Sequence, residues 1–160
     1  MKVFIIGVSG AVGRLLTRTL MTRGAAVSGL VRTESQRDEL SDWGVDTHIG
    51  SLSELSSRSL APLLSGMDAV VFAAGSNGGA REVTNAIDGV GILTTIEAAR
   101  RVGVSRFLSV SVLPEAAREE HLGEDEEHYF AVKKAADIAV VRSGLDWVIL
   151  RPSRLTDASG

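Results

Sequence analysis

Three glycines near the amino terminus stand at a spacing that suits phosphate binding. Gly7, Gly10 and Gly13 follow the apolar residues 3–6 and open a segment of helical period. In such a turn the first glycine permits a tight bend, the second lets the backbone approach a diphosphate, and the third lets the helix pack on the strand. Amides at the helix start would face the anion. The predicted cofactor contacts at this turn are Gly7, Ser9, Gly10, Ala11, Val12 and Gly13.

Nucleoside triphosphates are the other ligands that a glycine-rich turn of this kind could bind. A Walker A loop ends with a lysine that is followed by Ser or Thr. In this chain Arg14 and Leu15 follow Gly13. The sequence therefore disfavours ATP or GTP hydrolysis and favours a dinucleotide.

The end of the second apolar run bears on which nicotinamide cofactor is bound. An acidic residue there would accept a hydrogen bond from the ribose 2′-hydroxyl of NAD(H) and would repel the 2′-phosphate of NADP(H). This chain has Arg32 instead. A guanidinium can hold a phosphate with two charge-assisted hydrogen bonds, and Arg37 is a second cation that could assist. The sequence therefore favours NADP(H) over NAD(H). The alternative is that Arg32 is an ordinary exposed arginine with no role in binding.

The elements that must hold these residues alternate along the chain. Six short apolar runs are the predicted strands: residues 3–6, 26–31, 45–49, 69–73, 107–111 and 147–150. Helical period is found between the first two runs and in four later segments: residues 35–43, 53–64, 80–102 and 128–143. This alternation is typical of βαβ units with right-handed crossovers. The sequence therefore predicts an α/β, three-layer Rossmann fold with a doubly wound parallel sheet in the order 3-2-1-4-5-6.

The composition excludes several classes of function. The chain has 160 residues, 44% of them hydrophobic, so we expect a single NAD(P)-binding domain over residues 1–160. A net charge of -3 provides no basic surface for nucleic acid, and no apolar run reaches the ~18 residues of a membrane span. The absence of cysteine excludes disulfides and zinc–thiolate sites. We expect a cytoplasmic protein that binds a small-molecule substrate and neither nucleic acid nor membrane.

Together with later motifs, these residues resemble the atypical short-chain dehydrogenase/reductases, a small NAD(P)H-binding group related to the NAD-dependent epimerase/dehydratases. The further motifs are Ala73-Ala74-Gly75, Asp88-Gly89, residues 103–111, Tyr129 with Lys133, and Leu150-Arg151-Pro152. The resemblance implies that Ala73, Ala74 and Gly75 lie beside the cofactor. It also implies that Ser51 and Leu52 lie near the adenine. Relatives often carry an aspartate where this chain has Ser51, so we expect weaker adenine contacts here.

The resemblance also implies where the chemistry takes place. In the broader family a tyrosine four residues before a lysine is catalytic, together with a serine at the end of the fifth strand. Tyr129, Lys133 and Ser111 match these positions, and Lys133 would also contact the cofactor. Residues i and i+4 share one face of a helix, so we expect the Lys133 ammonium to lower the pKa of the Tyr129 phenol from its usual ~10.

Two observations leave this catalytic assignment open. Many relatives end the fifth strand in consecutive serines, whereas Val112 follows Ser111 here, which would displace or remove the hydroxyl. A tyrosine and a lysine at this spacing also occur by chance on a helix. The alternative to catalysis is therefore that the tyrosine only packs against its neighbours and the lysine is solvated.

The segment 115–128 contains histidines and carboxylates that raise the question of a metal. Zinc hydrolase motifs place two histidines at i and i+4 around a glutamate, whereas His128 comes seven positions after His121. We therefore expect no metal site and a solvated loop over this segment, with a lid as the functional alternative.

Two functions fit these predictions. One is an NADPH-dependent reductase, or an epimerase or dehydratase with transient hydride transfer, that acts on a small carbonyl, quinone, flavin or sugar-like compound. The other is a non-catalytic NADP(H)-binding redox sensor or regulatory module. Relatives usually continue for several tens of residues on the substrate side, whereas this chain stops at Gly160. We therefore expect a short or missing substrate segment and a bare sheet edge that could support a homo-oligomer.

Overall fold

Six parallel strands form the centre of the computed structural model, which describes residues 1–113 and 122–153. The strands are β1 (Lys2–Ile6), β2 (Ala26–Val31), β3 (Asp46–Ile49), β4 (Ala69–Phe72), β5 (Arg106–Val110) and β6 (Asp146–Leu150). They form one sheet in the order β3-β2-β1-β4-β5-β6, and each neighbouring pair is parallel. The predicted Rossmann fold and its strand order are confirmed.

The strands at the centre of the sheet are buried on both faces. In β1, Phe4 pairs with Ser28 of β2 on one side and with Val70 of β4 on the other. All four residues of β4 are buried, as expected for a parallel strand that helices cover on both faces. The order of the strands reverses between β1 and β4, and ligands of doubly wound folds bind beyond the carboxyl ends at such a point.

Helices in the described part of the chain connect the strands. They are α1 (Ala11–Thr22), α2 (Glu34–Ser41), α3 (Ser57–Leu64), α4 (Arg81–Thr84), a π-helical segment (Asn85–Gly91), α5 (Ile92–Arg101) and α6 (Glu124–Arg142). None of the helices in the described ranges is both long and apolar enough to span a membrane.

The helices form two layers around the sheet. On one face, α1 and α2 pack on Val3, Ile5 and Val31 through Leu16 and Leu40. On the other face, α3, α5 and α6 pack on the opposite sides of the strands. The buried residues of that second core include Phe4, Phe107, Leu60, Ile96 and Val140. The predicted three-layer arrangement is therefore confirmed.

Local sequence signals explain several helix ends. Thr33 caps α2, because its hydroxyl accepts a hydrogen bond from the Gln36 amide at 3.2 Å. Ser56 caps α3, and Ser59 returns the hydrogen bond in a capping box. After α1, Gly24 has a φ of +77°, the left-handed conformation that glycine adopts at a helix end.

Several predicted helices have different boundaries in the structure. Helix α3 begins at Ser57 rather than at residue 53, because the Glu54 amide donates to the Ser51 carbonyl oxygen at 3.0 Å and a turn forms there. The predicted helix over 80–102 is interrupted by the π-helical segment. Within that segment a Cβ on Gly91 would lie 2.7 Å from Leu52 Cδ2, so a side chain at this position would displace the Leu52 side chain.

Helix α6 begins at Glu124, which is earlier than the predicted start at residue 128. Four acidic residues form its first turn, where negative charge is stabilised by the helix dipole. The predicted solvated loop over 115–128 is therefore wrong for residues 124–128. Residues 115–121 of that prediction, His121 among them, lie outside the described part of the chain.

Candidate functional site

A cavity of about 870 Å³ opens at the carboxyl ends of β1, β2 and β4. This is the edge of the sheet at which doubly wound folds bind dinucleotides. Most of the predicted cofactor contacts line it: Gly7, Ser9, Gly10, Ala11, Val12, Arg32, Ser51, Leu52, Ala73, Ala74 and Gly75. Two predicted contacts, Gly13 and Lys133, lie outside the cavity wall.

The turn after β1 presents backbone to this cavity. Gly7 has a φ of +90°, and a Cβ at this position would lie 2.6 Å from the Ala74 nitrogen. The Gly10 amide donates to the Gly7 carbonyl oxygen at 3.0 Å and closes the turn. Gly10 then begins α1 without a side-chain cap from the described residues, and the amides of Ala11 and Val12 have no intrahelical acceptor. These features fit a diphosphate.

Gly13 serves the packing of α1 and does not form part of the cavity wall. A Cβ on Gly13 would overlap the Gly7 carbonyl oxygen and would lie 2.9 Å from Val8 Cα. Because both atoms belong to the backbone, only a shift of the helix could make room for a side chain. This is the close helix–strand approach that the third glycine of such a turn permits.

Arg14 fixes the glycine turn against α2. Its Nε donates to the Ser9 carbonyl oxygen at 2.8 Å, and its guanidinium pairs with Glu39. Sequence reasoning missed this role, because Arg14 and Glu39 are 25 positions apart and meet only through the fold.

Arg32 and Gln36 form the part of the cavity wall next to the end of β2. The Arg32 amide donates to Gln36 Oε1 at 2.9 Å, which fixes the backbone at this point. The Arg32 side chain is exposed in the cavity. Within residues 1–113 and 122–153, no carboxylate forms an ion pair with its guanidinium. A positive charge is therefore available to an anionic ligand.

Arg37 does not take the assisting position that the sequence suggested. Its guanidinium lies 2.9 Å from Asp38 and 3.8 Å from Glu34, and it does not line the cavity. The two acidic neighbours on α2 neutralise its charge, so the structure corrects the expectation that Arg37 assists Arg32.

A further part of the wall comes from the connection after β4 and the helix that follows it. Asn77, Glu82, Val83, Ala86 and Ile87 line the cavity there. Asn77 has a φ of +55°, a conformation that asparagine adopts more readily than most residues. Sequence reasoning missed these five residues, since helical period alone does not tell which face of a helix borders a cavity.

Lys133 lies behind the cavity wall and makes a buried ion pair. Its side chain is only 5% exposed and its Nζ lies 3.2 Å from Asp88 Oδ1. The same Nζ donates to the Val110 carbonyl oxygen at 3.2 Å. The other carboxylate oxygen of Asp88 accepts a hydrogen bond from the Ser76 amide at 2.9 Å. The ammonium is thus held beside the end of β5, close to the connection that follows β4.

The expectation that Tyr129 has a lowered pKa is wrong. Burial and, in second place, the negative charge of Asp88 raise the pKa of Tyr129 to about 12. The cation that should have lowered it, Lys133, is paired with Asp88. The phenol is therefore protonated over the whole neutral range.

Ser111 is buried next to the backbone that Lys133 contacts. It follows Val110, whose carbonyl oxygen accepts from Lys133, and its own amide donates to the Leu150 carbonyl oxygen at 2.7 Å. Its hydroxyl has no hydrogen-bond partner in the described part of the chain. The structure therefore brings Ser111 and Lys133 to the end of β5, but neither lines the cavity.

The start of α6 contacts α4 and the π-helical segment through polar groups. Arg81 pairs with Glu124 at 3.0 Å and with Asp125 at 2.6 Å, while His128 Nε2 lies 2.8 Å from Asn85 Oδ1. No group of three metal-ligating side chains is found over the described ranges. These contacts give the acidic first turn of α6 a role in helix packing.

Known proteins resemble this chain over nearly its whole length. YhfK of Bacillus subtilis, whose name is "uncharacterized sugar epimerase", is 34% identical over 100% of this chain and 75% of its own length. A solved structure from Bacillus halodurans, named after the NAD-dependent epimerase/dehydratases, is 34% identical with a TM-score of 0.85. The alignment covers 99% of this chain and 73% of that one. The Bordetella bronchiseptica enzyme WbmH in complex with NAD⁺ is 25% identical with a TM-score of 0.72, over 94% of this chain and 55% of WbmH.

A family model described as NAD(P)H-binding matches residues 7–160. The match begins at Gly7, the first residue of the glycine turn that lines the cavity. The sheet order, the backbone cradle and the relatives all agree with this match. The chain therefore belongs to the NAD(P)H-binding family, among the epimerase/dehydratase-like members of the short-chain dehydrogenase/reductases.

Proposed function

We propose that this protein is an NADP(H)-dependent oxidoreductase that reduces a small carbonyl, quinone, flavin or sugar-like compound. Family membership supports the class of cofactor. The observation that carries the choice of NADP(H) is Arg32, a cavity-lining arginine with no described ion-pair partner. An unpaired guanidinium beside the ribose would attract a 2′-phosphate and offer nothing comparable to a 2′-hydroxyl.

Different residues of the cavity would bind different parts of the cofactor. The amides of Ala11 and Val12 would hold the diphosphate at the start of α1. Arg32 would hold the 2′-phosphate, and Ser51 and Leu52 would contact the adenine side. Ala73, Ala74 and Gly75, which all line the cavity, leave room for the cofactor beside the end of β4.

The chain's own residues would supply the proton of the reduction. The hydride for the reduction would come from NADPH, which the residues of the cavity would hold. Tyr129 donates its phenolic proton to the substrate oxygen, which becomes a hydroxyl, and solvent later returns a proton to the phenolate. A pKa of about 12 keeps the phenol protonated at neutral pH, the form from which it would donate a proton. The family resemblance assigns the orientation of this proton transfer to Ser111, whose buried hydroxyl has no described partner.

The replacement Arg32→Ala tests the cofactor assignment. We expect the dissociation constant for NADPH to rise about tenfold or more, because a hydrogen bond to a charged group contributes roughly 1.5–3 kcal/mol. The dissociation constant for NADH should change by less than about threefold. Fluorescence titration of the reduced nicotinamide measures both constants.

Arg37→Ala is the matched control for that experiment. Arg37 belongs to the same helix region, but it pairs with Asp38 and does not line the cavity. We expect neither dissociation constant to change in this variant. If Arg32→Ala left the ratio of NADPH to NADH affinity unchanged, the assignment of Arg32 to the 2′-phosphate would be refuted.

A non-catalytic NADP(H) sensor is the second candidate function. It is favoured by the position of Tyr129, Lys133 and Ser111, none of which lines the cavity that would hold the cofactor. The two functions share the same binding site and differ in turnover. Oxidation of NADPH with a panel of carbonyl, quinone, flavin and sugar-like compounds separates them, because a sensor would bind NADPH and reduce none of these compounds.

A further inference from the structure

Gln36 lies in the wall of the cofactor cavity and has no assigned role in the proposed function. It is the third residue of α2, and its side chain is half-buried. Its backbone amide donates to the Thr33 hydroxyl at 3.2 Å, while its side-chain Oε1 accepts a hydrogen bond from the Arg32 amide at 2.9 Å. The two bonds run in opposite directions, as in a capping box, and they fix the side chain at the start of α2.

The hydrogen bond to Arg32 determines how the carboxamide of Gln36 is turned. A backbone N–H only donates, so the carboxamide must present its oxygen to Arg32. The two N–H groups of Nε2 are therefore directed away from that bond. Within residues 1–113 and 122–153, the hydrogen bonds of Gln36 are those to Thr33 and Arg32, and none involves Nε2. Two donors are thus left at the cavity wall.

The wall around these donors is free of negative charge in the part of the chain that the structure describes. At the ends of β2 and β3 it consists of Leu30, Arg32, Gln36 and residues 50–53. The polar side chains there are a guanidinium, a carboxamide and two serine hydroxyls. Two acidic residues of α2, Glu34 and Asp38, lie outside the wall and pair with Arg37. This end of the cavity therefore suits an anionic group that accepts hydrogen bonds.

We propose that Gln36 is a cofactor-specificity residue that acts together with Arg32: its Nε2 donates a hydrogen bond to the 2′-phosphate of NADP(H). A phosphate presents three acceptor oxygens, so it can accept from the guanidinium and from the carboxamide at once. The inference rests on the proposed function, because it concerns the phosphate that Arg32 would hold. It assigns to Gln36 the assisting role that the sequence suggested for Arg37.

The hydrogen bond to the Arg32 amide also holds Gln36 in place before a ligand binds. Ordering a long side chain at a binding site costs free energy, and this bond removes much of that cost. Because the same bond fixes the Arg32 backbone, the two side chains start from a common, ordered point. Arg32 then supplies the positive charge, and Gln36 supplies donors at a defined position.

Gln36→Glu tests the proposal by exchanging the Nε2 group for an oxygen. The new carboxylate can still accept from the Arg32 amide, and negative charge is favourable in the first turn of a helix, so α2 should be preserved. The carboxylate would repel a 2′-phosphate but accept from a ribose 2′-hydroxyl. We expect the dissociation constant for NADPH to rise at least about tenfold and that for NADH to change by less than about threefold. Fluorescence titration of the reduced nicotinamide measures both constants.

Gln36→Met separates the loss of the donors from the repulsion by a new charge. Methionine has a similar length and does not donate a hydrogen bond. We expect the dissociation constant for NADPH to rise about threefold to tenfold, which is less than in Gln36→Glu, while that for NADH stays within about twofold. An NADPH affinity equal to that of the unmodified protein would contradict a hydrogen bond from Nε2.

Ser35→Glu is the matched control for the added charge. Ser35 precedes Gln36 on α2, is exposed and lies outside the cavity wall. At physiological ionic strength its new charge is screened by solvent, so we expect both dissociation constants to change by less than about threefold. The role of Gln36 would be overturned if Gln36→Glu altered the ratio of NADPH to NADH affinity no more than Ser35→Glu does, and Arg32→Ala would still judge the proposed function. Failure of the unmodified protein to prefer NADPH over NADH would instead overturn the proposed function and this inference together.

Discussion

Replacement of Tyr129 by Phe is expected to lower the rate of NADPH-dependent reduction about 10²- to 10⁴-fold, the range for loss of a general acid. The affinity for NADPH should stay the same, because Tyr129 does not line the cavity that would hold the cofactor. Single-turnover kinetics measure the rate of the chemical step, and nicotinamide fluorescence measures binding. The change removes one hydroxyl and keeps the ring, so the packing of α6 is preserved.

Phe130→Leu is the control for packing near Tyr129. The two ring centroids are 5.6 Å apart, so this change disturbs the surroundings of the phenol without removing it. We expect a much smaller loss of rate than in Tyr129→Phe. Equal turnover in Tyr129→Phe and the unmodified protein would remove Tyr129 from the mechanism and would favour the sensor.

Replacement of Gly13 by Ala is expected to have the largest effect on cofactor binding. The added Cβ would overlap the Gly7 carbonyl oxygen, so α1 must move away from the turn whose amides face the diphosphate. We expect the free energy of unfolding to fall by about 1–3 kcal/mol, as for other overpacked sites. The dissociation constant for NADPH should rise at least about tenfold, which corresponds to ~1.4 kcal/mol. Urea denaturation and fluorescence titration measure the two effects.

Gly24→Ala separates loss of stability from loss of the site. Gly24 has a φ of +77°, but a Cβ there would meet nothing within 4 Å. The strained conformation should cost about 1–2 kcal/mol of stability while leaving the affinity for NADPH unchanged. If Gly13→Ala weakened NADPH binding no more than Gly24→Ala does, the close approach of α1 would not be what shapes the phosphate site.

The sheet was predictable from sequence because its central strands β1, β2 and β4 are buried on both faces. Continuous apolar runs such as β4 leave few other structures open to a short segment. The strand order followed from the typical order of doubly wound folds. Helix starts were less predictable, since several residues compete to cap them. The Ser53 hydroxyl bonds to that of Ser51 at 2.8 Å, whereas Ser56 forms the cap of α3, and the sequence alone does not distinguish these two serines.

The glycine turn was predictable because its defining contacts are local: the Gly10 amide donates to the Gly7 carbonyl oxygen, and Gly13 packs against Gly7 and Val8. The surroundings of Tyr129 were not, because they depend on contacts distant in sequence. Asp88 and Lys133 are 45 positions apart, and only the fold shows that Asp88 neutralises the ammonium expected to act on the phenol. The ion pair between Arg37 and Asp38 was likewise not predicted, because the sequence analysis considered Arg37 without the charges of its neighbours.

A crystal structure of the intact protein with NADP⁺ tests the central claim most directly. We predict that the diphosphate lies against the amides of Ala11 and Val12 and that the 2′-phosphate contacts the guanidinium of Arg32. The adenine should lie beside Ser51 and Leu52 in the cavity of about 870 Å³. A dinucleotide bound at another surface, or no bound dinucleotide at millimolar concentration, would contradict the account.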